Sequence, residues 1–459
     1  MSAAPTRHLK HPDLRERVYA LVSAGDLAPL SSLLSDLHPS DVADVLASLE
    51  ERERVALVGA LPVELASEAL AEMEEAEARG DLLAALAPEK GAELLGTLDD
   101  DDATDLVAEL KPEEQARVLA RMSAEDAGDI RRLLRFEEET AGSLMTTSLV
   151  AIRADLTAEE AIRDLRRQGR EVDSFYNVFV VDDARRLEGT VPLDDLILAA
   201  PTTPLRELVQ PIDITVPPDL DQEEVGRLMS RYNLVSVPVV QPDGRLIGRI
   251  TFDDVIDVIE AEQTEDLLLL AGVSDEEEVR ADWRTAVRAR LPWLSINLLT
   301  AAIASSIVVF FGRTIESLWF LAAIMPIVAG MGGSSGTQSL AVTVRRIALA
   351  RGSFEPRSGA VAKEAVVGLV NGLALGIFAF TVGWVVVTVM PGVSPRLPWV
   401  LLLALGGNVL IAASMGALIP TALHRMGVDP AIASSVFLTA LTDMCGFLLL
   451  LGLASALLL

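Results

Sequence analysis

Hydrophobic positions change their spacing along this chain of 459 residues. From residue 15 to about 136, Leu, Ala and Val recur every three or four residues, and acidic residues or prolines separate the runs. That spacing is typical of short amphipathic helices that each bury one face. The pattern predicts an all-α domain over residues 1–137.

A loose repeat runs through this first region. The string "HPSDVAD" begins at His38, "LDDDDATD" at Leu98 and "MSAEDAGD" at Met122. Each copy places acidic residues in the first turn of a predicted helix, and a Leu-rich face follows. Stacked helical units of this kind wind into a superhelix. We therefore expect an acidic, superhelical N-terminal domain.

A second and clearer repeat covers residues 141–262. The string "DLTAEEA" at Asp155 matches "DLDQEEV" at Asp219, and "VFVV" at Val178 matches "VPVV" at Val237. Each copy reads as strand, helix, strand, turn, strand and helix. The repeat therefore predicts two α/β modules.

The order of these elements, with "DGRLIGRIT" followed by "DDV" in the second copy, resembles a tandem pair of CBS domains. We assign the first module to residues 138–200 and the second to 201–252. A long helical pattern runs from Thr251 to about Val273, and we assign a linking helix to residues 253–274. Because modules that resemble CBS domains often bind adenosyl compounds, the resemblance implies ATP as a further ligand of the pair.

Five apolar segments follow, and we assign residues 275–459 to a transmembrane domain of five helices. Each segment has about 20 residues or more, which is enough to cross the hydrocarbon core of a bilayer. The segments lie near residues 290–311, 318–342, 361–390, 398–423 and 431–458.

Lys and Arg are distributed unevenly between the loops that join these segments. The residues on one side are Arg345, Arg346, Arg351, Arg357, Lys363 and Arg425, and those on the other side are Arg313 and Arg396. Cytoplasmic loops of membrane proteins are enriched in Lys and Arg. We therefore expect a multi-pass protein of the plasma or inner membrane, with a cytoplasmic N-terminus and an extracytoplasmic C-terminus.

Acidic residues are concentrated in the part of the chain before the apolar segments. The formal net charge is −29, and 62 of the 67 acidic residues precede Leu291. A nucleic-acid partner requires a basic surface, so this composition argues against nucleic acid. It suits a cationic partner, although solubility alone is the other explanation.

One acidic residue interrupts the last apolar segment. Asp443 is the only charged residue between Ala431 and Leu459. A carboxylate near mid-bilayer costs roughly 2.5 to 3.5 kcal/mol on insertion scales, so such residues are functional by default. Carboxylate and hydroxyl oxygens suit a hard cation, and the alternative is a hydrogen bond between helices. The residues that share its helical face are Ser435, Thr439, Thr442 and Gly446.

Three motifs in the membrane half point to a family. "PIVAGMGGSSGTQSLAVTVR" begins at Pro326, "GLVNGL" at Gly368 and "GVDPAIASSVFLTALTDMCGF" at Gly427. With the domain order, they resemble the MgtE family of magnesium channels and transporters over nearly the whole chain. The resemblance implies magnesium entry through a homodimer whose second and fifth membrane helices line one pore. It also implies that the pore closes when cytosolic magnesium binds the soluble domains.

The same resemblance implies the site residues. Asp443 of each subunit would face hydrated magnesium, Asp429 would lie near the inner mouth, and Ser435 and Thr439 would be further pore contacts. Regulatory magnesium would bind acidic residues on three adjoining elements. They are Asp101 and Asp105 in the first domain, Asp221, Glu223 and Asp254 in the second CBS module, and Asp257, Glu262, Glu265 and Asp266 along the linking helix.

Two departures from the family pattern in the membrane half leave metal selectivity open. Many relatives have Asn at the position of Ser334, and some have Asn-Pro or Gly-Pro where Ser435 and Val436 stand. Asn233 replaces an acid expected at one regulatory site. Another divalent cation, cobalt or manganese, with nucleotide-modulated gating of the CBS pair, is therefore the alternative to magnesium.

An enzyme is the least favoured class. The chain has four histidines, all poorly placed for catalysis, and it contains no P-loop, HExxH or Ser–His–Asp candidate. A receptor without a pore would need an output domain, and none is left once the predicted domains are assigned.

Overall fold

The computed structural model describes residues 16–18, 20–21, 24–25, 27–73, 78–169, 172, 175–270, 283–348, 359–390, 392–426 and 434–459. Two compact units divide the chain, Met1–Glu260 and Ala261–Leu459.

The first unit begins with short α-helices. Their bounds are α1 (Leu27–Leu34), α2 (Pro39–Ala47), α3 (Glu51–Ala60), α4 (Val63–Ala71), α5 (Arg79–Ala85), α6 (Pro88–Leu95), α7 (Asp100–Ala108), α8 (Pro112–Leu119) and α9 (Asp126–Leu133). Each packs against the second helix along the chain, from α1 on α3 to α7 on α9. This alternation arranges the helices in two rows, and their superhelical winding remains a prediction.

The Leu-rich faces of these helices form one continuous apolar core. Leu34, Leu46, Leu70 and Leu94 are each fully buried in it. Burial of one such side chain is worth roughly 1.5 to 3 kcal/mol. Pro is the first residue of α2, α6 and α8, where a missing N–H costs no hydrogen bond. The predicted helical domain is therefore observed.

Two α/β modules complete the first unit. The first contains β1 (Ala151–Arg153), α10 (Ala158–Gln168), β2 (Asn177–Val181), β3 (Leu187–Pro192) and α11 (Leu193–Leu198). The second contains α12 (Gln222–Tyr232), β4 (Ser236–Val240) and β5 (Leu246–Thr251), and α13 (Phe252–Leu270) follows. β1 pairs with β2 in parallel, and β2 pairs with β3 in antiparallel.

The second module repeats this arrangement with a shorter first strand. β4 pairs with β5 in antiparallel, and Val216 forms an isolated parallel bridge to Val239 of β4. Val216 therefore takes the place that β1 has in the first module. The predicted linking helix corresponds to α13, and Val273, its predicted end, lies outside the described residues.

Long apolar helices make up the second unit. They are α14 (Trp283–Phe310), α16 (Leu321–Ala348), α17 (Gly359–Val389), α18 (Leu397–Arg425) and α19 (Ser434–Leu458), with the short α15 (Gly312–Ser317) after α14. Among the described residues, four helices are long and apolar enough to cross a membrane: α14, α17, α18 and α19. α16 has 28 residues, as many as α14, and its middle is rich in glycine and serine. Its place as a fifth membrane span therefore stays a prediction.

Contacts between these helices give their relative directions. Gly336 of α16 lies against Leu438 of α19, and Val328 lies near Gly446, so the two helices are antiparallel. α17 and α18 are also antiparallel, because Gly368 lies against Ala413 and Gly383 against Pro398. α16 and α18 run in the same direction, with Asn408 bonded to Val328 and Ser339 to Ala413.

Glycine allows α17 and α18 to approach closely. A Cβ at Gly372 of α17 would lie 2.6 Å from the carbonyl oxygen of Gly406 in α18. Such a distance is shorter than any van der Waals contact, so an alanine at this position would push the helices apart. Small residues at helix contacts are typical of membrane proteins, where close backbone packing replaces the hydrophobic effect.

Candidate functional site

Polar residues of α19 form a line that the other described residues leave partly uncovered. Ser435 and Asp443 are half-buried and Thr439 is exposed, and the three are spaced by four residues. This spacing places them along one edge of a helix. The Thr439 hydroxyl donates to the carbonyl of Ser435 (2.8 Å), so its hydrogen bond stays within the helix. The edge presents oxygen atoms beside a carboxylate.

The neighbouring face of α19 is buried. Leu438, Thr442 and Gly446 pack toward the inside of the helical unit, and the Thr442 side chain is 0% exposed. The Thr442 hydroxyl donates to the carbonyl of Thr439 (2.9 Å). The polar face predicted from the sequence therefore divides in two, with Thr442 and Gly446 in the packing and Asp443 at its edge.

α16 also leaves polar side chains exposed. Ser334, Thr337 and Gln338 are exposed, whereas Gly336, Ser339 and Leu340 on the same helix are buried. Apolar packing joins α16 to α19 through Leu340, Val344 and Leu438. The two helices that pack together here thus each carry exposed polar side chains, which a lipid environment does not favour.

Asn408 of α18 is a fully buried polar side chain that lies against α16 and α19. It is 0% exposed, and its Nδ2 donates to the carbonyl oxygen of Val328 in α16 (2.9 Å). Its Oδ1 has no hydrogen-bond partner among the described residues. The glycines Gly332 of α16 and Gly446 of α19 lie against its amide, and a Cβ at Gly446 would lie 2.8 Å from Nδ2.

The end of α13 packs against the same helices. Leu269 is buried with Leu340 and Val344 of α16 and with Leu438 of α19. Glu262 and Glu265 lie earlier on α13, and both are half-buried. Asp429 lies outside the described residues, and so does the side chain of Asp266.

A second group of acids lies in the first unit, where α7 meets the start of α13. Asp101 and Asp102 of α7 are each close enough to Asp254 of α13 for electrostatic repulsion. Burial and the Asp254 carboxylate raise the pKa of Asp101 well above its usual range. Oδ1 of Asp101 is buried and has no hydrogen-bond partner among the described residues.

The other two carboxyls of this group are also perturbed. Asp102 keeps an exposed edge, yet loss of solvent and repulsion from Asp254 and Asp105 raise its pKa to about 7. Burial raises the pKa of Asp254 to about 6, although hydrogen bonds from Thr251 oppose the shift. The Thr251 hydroxyl donates to Asp254. Protons, or a cation, are therefore favoured at this group.

Asp100, directly before these acids, has a different environment. Its carboxylate accepts hydrogen bonds from the Thr146 hydroxyl (2.6 Å), the Thr147 amide (3.0 Å) and the Thr147 hydroxyl. Thr146 in turn pairs with Arg249 of β5 through backbone hydrogen bonds. Asp100 therefore anchors the start of α7 to the second CBS module.

Two of the remaining predicted regulatory residues lie close to the Asp254 group, because Asp105 repels Asp102 and Asp257 repels Asp254. Asp257 lies near Glu72, and burial followed by that charge raises its pKa. Asp221 caps α12 by accepting a hydrogen bond from the Glu223 amide (2.9 Å). Among the described side chains, no three His, Cys, Asp or Glu residues are close enough together to hold an ion.

The sequence did not single out three residues that the structure brings into these sites. The family resemblance points to Asp101 and Asp105 but not to Asp102, although Asp102 and Asp105 are three residues apart and share a helical face. Asp100 lies in the same acidic run, and no signal in the sequence separates an anchor from its neighbours. Asn408 lies in "GGN" of α18, which reads as a packing motif.

Three known families match consecutive parts of the chain. A family described as divalent cation transporter matches residues 325–453, the MgtE intracellular N domain matches residues 37–139, and the CBS domain matches residues 141–202 and 205–261.

Curated relatives match almost the full length. The magnesium transporter MgtE of Thermus thermophilus is 35% identical over 438 residues, covering 95% of this chain and 96% of that protein. The magnesium transporter MgtE of Bacillus subtilis is 30% identical over 454 residues, covering 98% of each chain.

Solved structures match the first unit. One is the cytosolic domain of the Mg2+ channel MgtE in complex with ATP, with 35% identity and a TM-score of 0.50, covering 52% of this chain and 98% of that one. Another is the soluble part of a magnesium transporter, with 31% identity and a TM-score of 0.50, covering 55% of this chain and 98% of that one.

Proposed function

This chain belongs to the MgtE family of divalent cation transporters, and we propose that it carries magnesium ions into the cell through a homodimeric pore. The observation that carries the proposal is the uncovered line Ser435, Thr439 and Asp443 on α19. A carboxylate in a membrane helix needs water, a cation or a second protein surface beside it. A water-filled path between two copies of this chain supplies all three.

The pore of this proposal is lined by α16 and α19. α16 then counts as the second of five spans, because its length and direction match a crossing and its exposed Ser334, Thr337 and Gln338 suit a wet surface. The positions of Lys and Arg support a cytoplasmic N-terminus and an extracytoplasmic C-terminus in the plasma or inner membrane.

Asp443 would contact magnesium through its water shell. Magnesium dehydrates reluctantly and is commonly held by one or two carboxylates, so one Asp443 from each subunit is a suitable pair. Thr439 would offer a further oxygen atom about one turn away along the same edge, and Ser435 another about two turns away. Asp429 would attract cations at the inner mouth.

Regulation would come from the acids of the soluble part. Asp101, Asp102 and Asp254 would attract a divalent cation, because their carboxylates repel one another and Oδ1 of Asp101 is buried and unpaired among the described residues. The three are not close enough together here to hold the ion, so they would have to move closer when it binds. Two carboxylates about 4 Å apart repel by about 4 kcal/mol at an effective dielectric near 20. A divalent cation would neutralise this repulsion and favour the compact arrangement of the first unit.

Other acids would extend this regulatory surface. They are Asp105, Asp221, Glu223, Asp257, Glu262, Glu265 and Asp266. α13 would transmit the change, because its Leu269 packs on α16 and α19. A cation that prefers the compact state shifts the population toward it. Rising cytosolic magnesium would then close the pore.

The proposed domain limits follow the sequence. They are 1–137 for the helical domain, 138–200 and 201–252 for the CBS modules, 253–274 for the linking helix and 275–459 for the transmembrane domain.

ATP at the CBS pair is a second proposal. It is supported by the 35% identical cytosolic domain whose structure is a complex with ATP. Titration of the purified full-length protein with ATP would test it, and the absence of saturable binding would contradict it.

Magnesium uptake by liposomes that contain the purified protein tests the function. We expect uptake that saturates with magnesium and that falls when magnesium is raised on the side of the soluble domains. Uptake of cobalt or manganese in place of magnesium would favour the alternative cation.

A further inference from the structure

Asn408 connects three membrane helices at one point. Its amide donates from α18 to the Val328 carbonyl of α16, and the same amide fills the space left by Gly332 and by Gly446 of α19. Both glycines are buried. A side chain at either position would collide with the Asn408 amide, so the three helices fit together at this residue in one arrangement.

Stability alone does not account for an asparagine here. Its Oδ1 is buried without a hydrogen-bond partner among the described residues, so no hydrogen bond there compensates for the free energy lost when the oxygen leaves water. Leucine has nearly the same shape and carries no such penalty. Buried polar groups that cost stability can serve instead to fix one arrangement, as a single asparagine fixes the register of a coiled coil.

The packing of α16, α18 and α19 at Asn408 fixes the position of the Asp443 carboxylate. Gly446 lies three residues beyond it, less than one turn of α19, so the contact with Asn408 sets both the depth and the rotation of that turn. A shift of one residue would rotate the helix by about 100°. Asp443 would then leave the uncovered edge that it shares with Ser435 and Thr439.

We propose that Asn408 is a positioning residue for transport, which holds α19 against α16 and thereby aims Asp443 into the ion path. This inference rests on the proposed function. Asn408 itself does not contact the ion. Its substitution should change the transport reaction without a matching loss of folded protein.

The test compares Asn408→Leu and Asn408→Ala with Ser414→Ala. Ser414 lies on the same helix, and its hydroxyl donates to the Leu410 carbonyl of that helix (2.7 Å). For each full-length variant in liposomes, the maximal magnesium uptake rate, the half-saturating magnesium concentration and the rates for calcium and manganese are measured. Thermal unfolding and the oligomeric state are measured in detergent.

We expect Asn408→Leu to unfold no earlier than wild type, to transport magnesium at least tenfold more slowly per folded protein, and to lose preference between cations. Ser414→Ala should match wild type. Wild-type transport kinetics in both Asn408 variants would overturn the inference. Loss of folded protein in both variants would also overturn it, because a structural role would then suffice.

A double variant adds a test of the contact itself. Gly446→Ala places a methyl group against the Asn408 amide and should reduce transport. When Gly446→Ala is combined with Asn408→Ala, the transport rate should fall no further than in the more impaired single variant, because both substitutions act on one contact. Losses that multiply would contradict the inference. If wild-type protein takes up no magnesium, the proposed function fails before these comparisons begin.

Discussion

The carboxylate of Asp254 faces Asp101 across the contact between α13 and α7, and it raises the pKa of Asp101. Both residues belong to the first unit, and Asp102 shares the same environment. The contact therefore brings acids together at neutral pH, and the positive charge of Arg79 offsets only part of the repulsion at Asp102. Its strength should depend on protons and on divalent cations.

The pH dependence of this contact follows from the raised pKa values. The docked state binds more protons than the undocked state, so low pH favours docking. Docking is weakened as the pH rises from the usual pKa of an Asp carboxyl through the raised pKa values, which are about 6 for Asp254 and about 7 for Asp102. Without magnesium, we expect a narrow distance distribution at pH 5 and a broad one at pH 8 between spin labels at the exposed positions Ala116 and Ala184. Magnesium should restore the narrow distribution at pH 8, and a pH-independent distribution would contradict this.

Removal of two of these charges should remove the response to magnesium. In Asp101→Asn with Asp102→Asn, both the repulsion and the cation ligands are lost, so the label distances should be nearly the same with and without magnesium. Asp213→Asn with Asp219→Asn is the matched control, because both residues are exposed acids of the same unit. A full magnesium response in the first double variant would exclude the Asp254 group as the sensor.

Asp100 should contribute to docking in a different way. Its carboxylate accepts three hydrogen bonds from Thr146 and Thr147. Hydrogen bonds to a charged group are worth about 1.5 to 3 kcal/mol. We expect Asp100→Ala to raise hydrogen exchange of the α7 amides by at least tenfold, with magnesium present or absent. Hydrogen exchange equal to that of wild type would mean that Asp100 does not anchor α7. Asp219→Ala, which removes an exposed acid of the same unit, provides the control.

Close packing of α17 on α18 should be sensitive to one methyl group. Gly372→Ala would bring a Cβ to 2.6 Å from the Gly406 carbonyl oxygen, whereas a Cβ at Gly330 of α16 would meet no atom within 4 Å. We expect the first variant to lower the unfolding temperature in detergent, because the helices must separate. Gly330→Ala should leave it unchanged or raise it. Equal unfolding temperatures would show that this contact adapts without cost.

The sequence predicted the elements better than their contacts. The apolar runs are long enough to identify the helices of the second unit, and α14 also includes residues 283–289 before its apolar run, where arginine and alanine favour a helix. The repeat in the first unit predicts both CBS modules, since each copy carries its own strand and helix pattern. These features depend on local composition.

The sites depend on which helical faces meet, and that is not local information. The family resemblance points to Asp101 and Asp105, but docking of α7 on α13 also brings in Asp102. Asn408 follows two glycines, and its role is visible only where α16, α18 and α19 converge. The sequence alone identifies Asp443, because a lone carboxylate in an apolar run has a high free-energy cost in a membrane whichever direction its side chain points.

Asp443 is the residue on which the proposed function depends most. Magnesium uptake should be compared in liposomes between wild type, Asp443→Asn and Glu364→Gln. Glu364 is a buried acid of α17 that pairs with Lys363 (3.4 Å), so its variant controls for loss of a membrane carboxyl outside the proposed pore helices. We predict that Asp443→Asn assembles as wild type does but loses at least ~99% of magnesium uptake, whereas Glu364→Gln transports normally. A hundredfold loss corresponds to about 2.7 kcal/mol in the free-energy barrier to transport. Undiminished uptake by folded Asp443→Asn would contradict the proposed ion path.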